Sequence, residues 1–218
     1  KPVPVVGPAG TAALVDGLVR ANAPTERASF AVSGPPNKPL ASAVAASDVP
    51  ARLPDPVEVY RDDAVSVTAI DVEHFQLPPV GDVSPMPQAI AYRVVAGGKV
   101  FVYSGDTGPT KQLARLARGA DVLFCEVVNP EAVMGALRRL MPGARDEALA
   151  GFARTMVHNH LSPEDVGRVA AEAGARRVVL THFVPSLADQ ADPGDLVRRV
   201  HAVYGGPVDL AHDLDHRL

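Results

Sequence analysis

The chain has 218 residues, 47% apolar and 21% charged, so it is long enough and apolar enough to bury a core. The net charge of −4 gives no basic field for a nucleic-acid backbone, and the single cysteine excludes both an internal disulfide and a cysteine-rich zinc module. No apolar run approaches the roughly 18 residues of a membrane span, so we expect a soluble, cytoplasmic protein.

The first quarter of the chain predicts one strand, one helix and a long irregular stretch. Residues 3–6 form a short apolar strand, and Thr11 is placed to cap a helix over residues 12–22. Residues 31–56 show no clean periodicity and are expected to be mostly loop, with a short helix over residues 40–46.

The middle of the chain predicts two hairpins. Apolar residues alternate with polar or small ones over residues 57–60 and 65–72, which indicates half-buried strands. Residues 76–88 hold four prolines and are expected to form a loop. A second hairpin over residues 89–95 and 100–104 turns at Gly97-Gly98.

Helices and strands alternate in the second half. We expect helices over residues 110–118, 130–141, 145–158, 163–174 and 192–204, and strands over 121–125, 177–182 and 208–210. Hairpins early and αβ units late predict an α/β fold with a mixed sheet, formed by a single domain over residues 1–218.

Three polar residues stand at the ends of apolar strands, where side chains emerge from a rigid scaffold. His74 and His182 each end a strand, and Asp106 follows another. Imidazole and carboxylate groups suit zinc or another borderline divalent ion. His160 precedes the helix capped by Ser162, where it is placed to donate to a developing negative charge.

Each of these residues also has a simpler interpretation. Asp106 stands in a glycine-bounded turn that it could serve only to brace, and His160 could serve only as a residue preceding a helix. The triplet Asp106-Thr107-Gly108 occurs in aspartic proteases, but the chain has no second copy to supply the partner carboxylate. We expect His201, His212 and His216 to be surface or core histidines.

Several short segments, in a fixed order, carry a family resemblance. They are residues 67–74, 91–94, 102–109 (Val-Tyr-Ser-Gly-Asp-Thr-Gly-Pro), 120–126, 160–167 (His-Leu-Ser-Pro-Glu-Asp-Val-Gly) and 180–183 (Leu-Thr-His-Phe). Together they resemble the metallo-β-lactamase superfamily, and within it the ribonuclease Z and arylsulfatase-like branch of metal-dependent hydrolases. The resemblance implies an αββα sandwich with mixed sheets, to which residues from about 130 to 157 add a helical insertion.

The resemblance also implies roles for individual residues. His74 would bind one zinc, Asp106 would bridge two zincs and take part in catalysis, and His182 would bind the second zinc. His160 resembles the histidine that acts beside the scissile group as an acid or charge stabiliser. Glu126 stands where the branch often has an acidic residue after a strand, and Cys125 stands where the branch commonly has histidine.

One family motif is absent from the sequence. The pattern His-x-His-x-Asp-His, which supplies ligands of one zinc in the family, does not occur between Lys1 and Leu218. We therefore expect a fold that is incomplete at its N-terminus, in a longer protein that supplies the motif before Lys1. By this expectation an intact site holds two zincs, whereas this chain alone holds one or none.

The function expected from the resemblance is hydrolysis of an ester bond, whether phosphodiester, sulfate or carboxylic ester, by metal-activated water. The acidic net charge favours a small-molecule ester over nucleic acid. Two alternatives stay open, namely a tRNA 3′-processing endonuclease and a non-catalytic or metal-poor scaffold of the same fold. We expect no membrane partner, and the chain could form a homodimer. The composition, rich in Ala, Val, Arg and Pro, is typical of bacteria with GC-rich genomes.

Overall fold

The structure, a computed structural model, describes residues 1–34, 38–75 and 86–215. Its internal contacts divide the chain into two compact units, residues 1–52 and 53–218. The single domain over residues 1–218 stays a prediction. Most of the loop predicted at residues 76–88, namely 76–85, and His216 lie outside the described residues.

The first unit pairs two strands beside a long helix. Its elements are β1 (Val3–Gly7), α1 (Thr11–Ser33), α2 (Leu40–Ala43) and β2 (Val44–Asp48). β1 and β2 are parallel, with Val3 opposite Val44.

Three predictions for this unit were wrong. The first helix continues through Pro24 to Ser33, eleven residues beyond its predicted end. Residues 44–48 form a strand, although Val-Ala-Ala-Ser-Asp has little β propensity, because pairing with β1 decides their conformation. The carboxylate of Asp48, and not Thr11, accepts the N–H groups of Gly10 and Ala12 at the start of α1.

The second unit carries most of the regular structure. Its elements are β3 (Val57–Arg61), β4 (Val65–Val72), β5 (Ala89–Ala96), β6 (Lys99–Tyr103), α3 (Lys111–Leu116), β7 (Val122–Val128), α4 (Pro130–Leu140), α5 (Asp146–Asn159), α6 (Pro163–Ala173), β8 (Val178–Val184), a 3-10 turn (Leu187–Asp189), α7 (Gly194–His201) and β9 (Val208–Leu210).

The described strands of this unit form one mixed sheet in the order β3-β4-β5-β6-β7-β8-β9. Neighbours are antiparallel from β3 to β6 and parallel from β6 to β9. The predicted α/β class with a mixed sheet is therefore confirmed. Because β4, β6, β7 and β8 run in the same direction, their C-terminal ends lie along one edge of the sheet, where ligand sites of α/β folds commonly lie.

The core lies between the sheet and helices α3, α6 and α7. Ile70, Val102, Leu123 and Leu180 from the strands are buried in one cluster with residues of these three helices. A smaller cluster joins Val128 at the end of β7 to α4 and α5. These helices occupy the predicted positions, and their assignment as an insertion stays a prediction.

Local signals explain how α6 begins. Ser162 accepts a hydrogen bond from the N–H of Asp165, and the Asp165 carboxylate accepts one from the N–H of Ser162, which forms a capping box. None of the helices within residues 1–34, 38–75 and 86–215 combines the length and the apolarity that a bilayer-spanning segment needs.

Candidate metal centre

The four predicted site residues converge at one edge of the sheet. His74 follows β4 by two residues, and Asp106 follows β6 by three. His182 lies in β8, and His160 stands between α5 and α6. Parallel strand ends thus bring together residues that are more than 100 positions apart in the chain.

Three of the four residues form a compact ligand group. One donor atom from each of His74, Asp106 and His160 lies within 4.8 Å of the other two. The rings of His74 and His160 meet edge to face, with centroids 4.9 Å apart. His182 is adjacent to this group, because its Nε2 lies 3.3 Å from Oδ2 of Asp106.

Hydrogen bonds hold two of the imidazoles in position. Nδ1 of His74 lies 3.0 Å from the carbonyl oxygen of Asn159, and Nδ1 of His160 lies 3.0 Å from Oε2 of Glu126. Since a carbonyl or carboxylate oxygen can only accept, Nδ1 of each ring carries the proton. The lone pair of Nε2 is then left for a metal ion or a substrate.

Glu126 is the buried anchor of the site. Only 1% of its surface is exposed, and its Oε1 accepts hydrogen bonds from the backbone N–H groups of Thr107 (2.9 Å) and Leu161 (3.3 Å). Its Oε2 accepts a hydrogen bond from the Nδ1–H group of His160, and this hydrogen bond raises the pKa of His160 above its ordinary value. One carboxylate thereby fixes the backbones that follow β6 and α5.

The sequence identifies Glu126 as an acidic residue of interest but does not predict that it anchors the site. It was expected after a strand, whereas it lies inside β7. An acidic residue within an otherwise apolar run is itself a signal, because a buried carboxylate requires several hydrogen-bond donors. Its neighbour Cys125 is fully buried in the core, and burial raises the pKa of the Cys125 thiol well above its usual value.

His182 does not end its strand as predicted. β8 continues to Val184, and the register with β7 shifts between Glu126 and Val127, which leaves His182 as the extra residue of a β-bulge. Its φ of 44° lies in the left-handed region, which is uncommon for a residue with a side chain. The bulge turns the imidazole of His182 towards Asp106. The strained backbone conformation therefore occurs at a candidate metal ligand.

The loop that carries Asp106 is tied to the loop that carries His74. Gly108 donates its N–H to the carbonyl of Glu73 (2.6 Å), and Glu73 donates its N–H to Oγ1 of Thr107 (3.1 Å). Gly105 has a φ of 59°, and a Cβ at this position would lie 2.7 Å from the carbonyl oxygen of Ile90. Thr107 therefore ties the loop of Asp106 to the loop of His74, and Thr181 pairs with Glu126 across the strands.

Comparisons with known proteins were made on sequence and on structure. The family described as "Beta-lactamase superfamily domain" matches residues 4–183. A protein named ribonuclease Z from Mycobacterium marinum is 28% identical over the whole chain, which covers 67% of that protein. Another ribonuclease Z, from Mycolicibacterium paratuberculosis, is 30% identical with the same coverage.

Solved structures show the same fold at low identity. The metallo-beta-lactamase fold protein YhfI from Bacillus subtilis has a TM-score of 0.52 at 17% identity over 96% of this chain. Zn²⁺-bound PqqB from Methylobacterium extorquens has a TM-score of 0.53 at 18% identity over 98% of the chain. The chain spans 62% and 64%, respectively, of these two structures.

Proposed function

Since the chain belongs to the beta-lactamase superfamily, with ribonuclease Z proteins among its relatives, we propose that it forms the site of a metal-dependent hydrolase of ester bonds. The observation that carries the proposal is the group formed by His74, Asp106 and His160, whose donor atoms lie within 4.8 Å of one another. The predicted roles of the individual residues are part of this proposal.

The chemistry of the donor set fits a divalent ion. Imidazole nitrogen and carboxylate oxygen are the ligands that zinc accepts, and the Nδ1 partners of His74 and His160 leave both Nε2 atoms unprotonated. His74, Asp106 and His182 would hold the metal. A bound divalent ion supplies hydroxide at neutral pH and polarises the ester under attack.

The residues of this chain orient the reacting groups. Asp106 lies between His74 and His182 and brings both imidazoles to one point. His160, held by Glu126 through Nδ1, belongs to the same group of donor atoms, and protonation of its Nε2 would let it donate to a leaving oxygen. Whether His160 acts as this acid or as a further ligand is decided by the metal content of a His160 variant.

Charge favours a small ester as the substrate. The net charge is −4, and the cleft beside His182 is lined by no Lys or Arg among the described residues. A polynucleotide backbone needs several cationic contacts. The second candidate is tRNA 3′-end processing, which is favoured by the relatives named ribonuclease Z at 28% and 30% identity.

A third candidate is a non-catalytic scaffold of the same fold. A scaffold would purify without stoichiometric metal and without turnover. The three candidates therefore differ in metal content and in substrate.

The experiment compares the zinc-loaded full chain on p-nitrophenyl esters of phosphate, sulfate and acetate and on a tRNA precursor with a 3′ trailer. We expect turnover of a small ester, reduced on the order of 100-fold or more by Asp106→Asn. Asp55→Asn, which changes an exposed carboxylate paired with Arg115, is the matched control and should keep the wild-type rate. Cleavage of the tRNA precursor alone would favour the second candidate, and no turnover of any substrate would contradict the proposal.

A further inference from the structure

An open cleft of about 630 Å³ begins at the side of His182. Phe183 forms part of its wall from β8, Leu187 from the 3-10 turn, and Ala211 from the segment that follows β9. Since His182 also lies 3.3 Å from Asp106, a substrate held at the candidate metal centre would have the cleft beside it.

The lining of the cleft combines three apolar side chains with the polar side chains of Thr181, His182, Ser186, His212 and Asp213. Phe183 and Leu187 pack against the core cluster while part of each side chain stays exposed, and Ala211 adds a third apolar side chain. Asp213 is the acidic residue of the lining, and no Lys or Arg occurs among the described lining residues. Such a surface accepts an uncharged apolar group and repels an anionic one.

Three hydrogen bonds hold the wall that carries Leu187. Gln190 is buried, its Nε2 donates to the carbonyl of Pro185 (3.0 Å), and its Oε1 accepts from Nδ2 of Asn129 (2.9 Å). Ser186 donates its hydroxyl proton to Asp189 across the same turn. The wall is therefore preformed, so little conformational entropy is lost when a ligand enters.

We propose that this cleft binds the non-reacting substituent of the ester substrate, and that this substituent is uncharged and presents an apolar face, such as an aromatic ring, to Phe183, Leu187 and Ala211. The inference rests on the proposed function for the position of the ester group. The volume lies within the usual range for small-molecule sites. The cleft thus separates a small aryl or alkyl ester from a polyanionic chain as the substrate.

Phosphonates test the cleft without requiring turnover. Phenylphosphonate and methylphosphonate share an anionic head group and differ in the substituent, and calorimetry on the zinc-loaded full chain measures both dissociation constants. We expect phenylphosphonate to bind about tenfold more tightly, as burial of roughly 60 Å² more apolar surface implies. 4-Carboxyphenylphosphonate should lose that advantage because its second charge faces Asp213.

Two substitutions locate the effect. Leu187→Asp places a charge in the wall, and Ser186→Trp fills the cleft from an exposed position without removing core packing. Both should bring the ratio of the two dissociation constants close to one. Leu140→Asp, at the exposed end of α4, is the matched control and should keep the tenfold ratio.

The outcomes distinguish the inference about the cleft from the proposed hydrolysis of an ester. Equal binding of the two phosphonates, a ratio that neither cleft substitution changes, or no binding of either phosphonate overturns the inference about the cleft. A tenfold ratio that the cleft substitutions abolish supports it. If that ratio is found in a chain that hydrolyses no ester, the proposed function fails while the cleft assignment stands.

Discussion

Replacing Glu126 by alanine removes the acceptor of three N–H groups in the interior of the second unit. The backbone N–H groups of Thr107 and Leu161 belong to fully buried residues, and His160, the third donor, is 7% exposed. Each buried donor left without a partner costs about 1–3 kcal/mol. With three such donors left without an acceptor, we expect Glu126→Ala to lower the free energy of unfolding by about 4 kcal/mol, near the lower end of the summed range.

Glu126→Gln should cost less. The amide oxygen can still accept from Thr107 and Leu161, so the main loss is the charged hydrogen bond to His160, worth about 2 kcal/mol. Glu131→Gln is the control, because Glu131 is exposed and pairs with Arg199 at the surface. Its effect should stay within about 1 kcal/mol.

Urea unfolding of the metal-free chain, followed by circular dichroism, measures these differences. Nitrogen chemical shifts of the His160 ring should show the proton on Nδ1 in the wild type, and a changed tautomer population in Glu126→Gln. The reasoning is refuted if Glu126→Ala unfolds within about 1 kcal/mol of the wild type, because the three N–H groups would then have other partners.

Three further substitutions test separate parts of the site. His160→Ala should lower turnover by about 10²–10⁴-fold while the zinc content stays constant, as measured by elemental analysis, and loss of zinc would instead identify His160 as a ligand. Gly105→Ala should lower the free energy of unfolding by more than about 2 kcal/mol, because the added Cβ would meet the carbonyl oxygen of Ile90. The control is Gly119→Ala, which has a similar positive φ but open space around it and should cost only about 1–2 kcal/mol. Equal costs in urea unfolding would contradict the proposed close contact. Ser162→Ala should cost about 1 kcal/mol by the same assay through loss of the helix cap, and an unchanged midpoint would argue against that cap.

The elements that sequence predicted correctly are those with strong local signals. The strands β3 and β4 alternate apolar with polar or small residues, and Gly97-Gly98 supplies the turn after β5. Ser162, Pro163 and Asp165 each satisfy one requirement of a helix start. These features depend on residues close in sequence, so they need no knowledge of the fold.

The features that sequence missed depend on distant partners. The strand at residues 44–48 exists because β1 lies beside it, and the bulge at His182 results from its pairing with β7. His74 is oriented by the carbonyl of Asn159, a backbone group that leaves no trace in residue type. Residue types in the sequence could therefore indicate the candidate site residues. Only the structure shows the strand pairing and hydrogen bonds that orient their side chains.

The family membership of the chain was predictable because several short motifs occur in the right order. The positions of His74, Asp106 and His182 after or within strands suggested one cluster, and the structure brings them together. The central part played by Glu126 required the buried contacts of β7 to be known.

Zinc binding by the purified full-length protein is the most direct test of the central claim. Elemental analysis after dialysis against limiting zinc should find at least one ion bound per wild-type chain and a marked loss of zinc in Asp106→Asn, with circular dichroism showing that the variant is folded. A wild-type chain without zinc, or a variant that holds as much zinc as the wild type, would contradict the assignment of His74, Asp106, His160 and His182 to a metal centre.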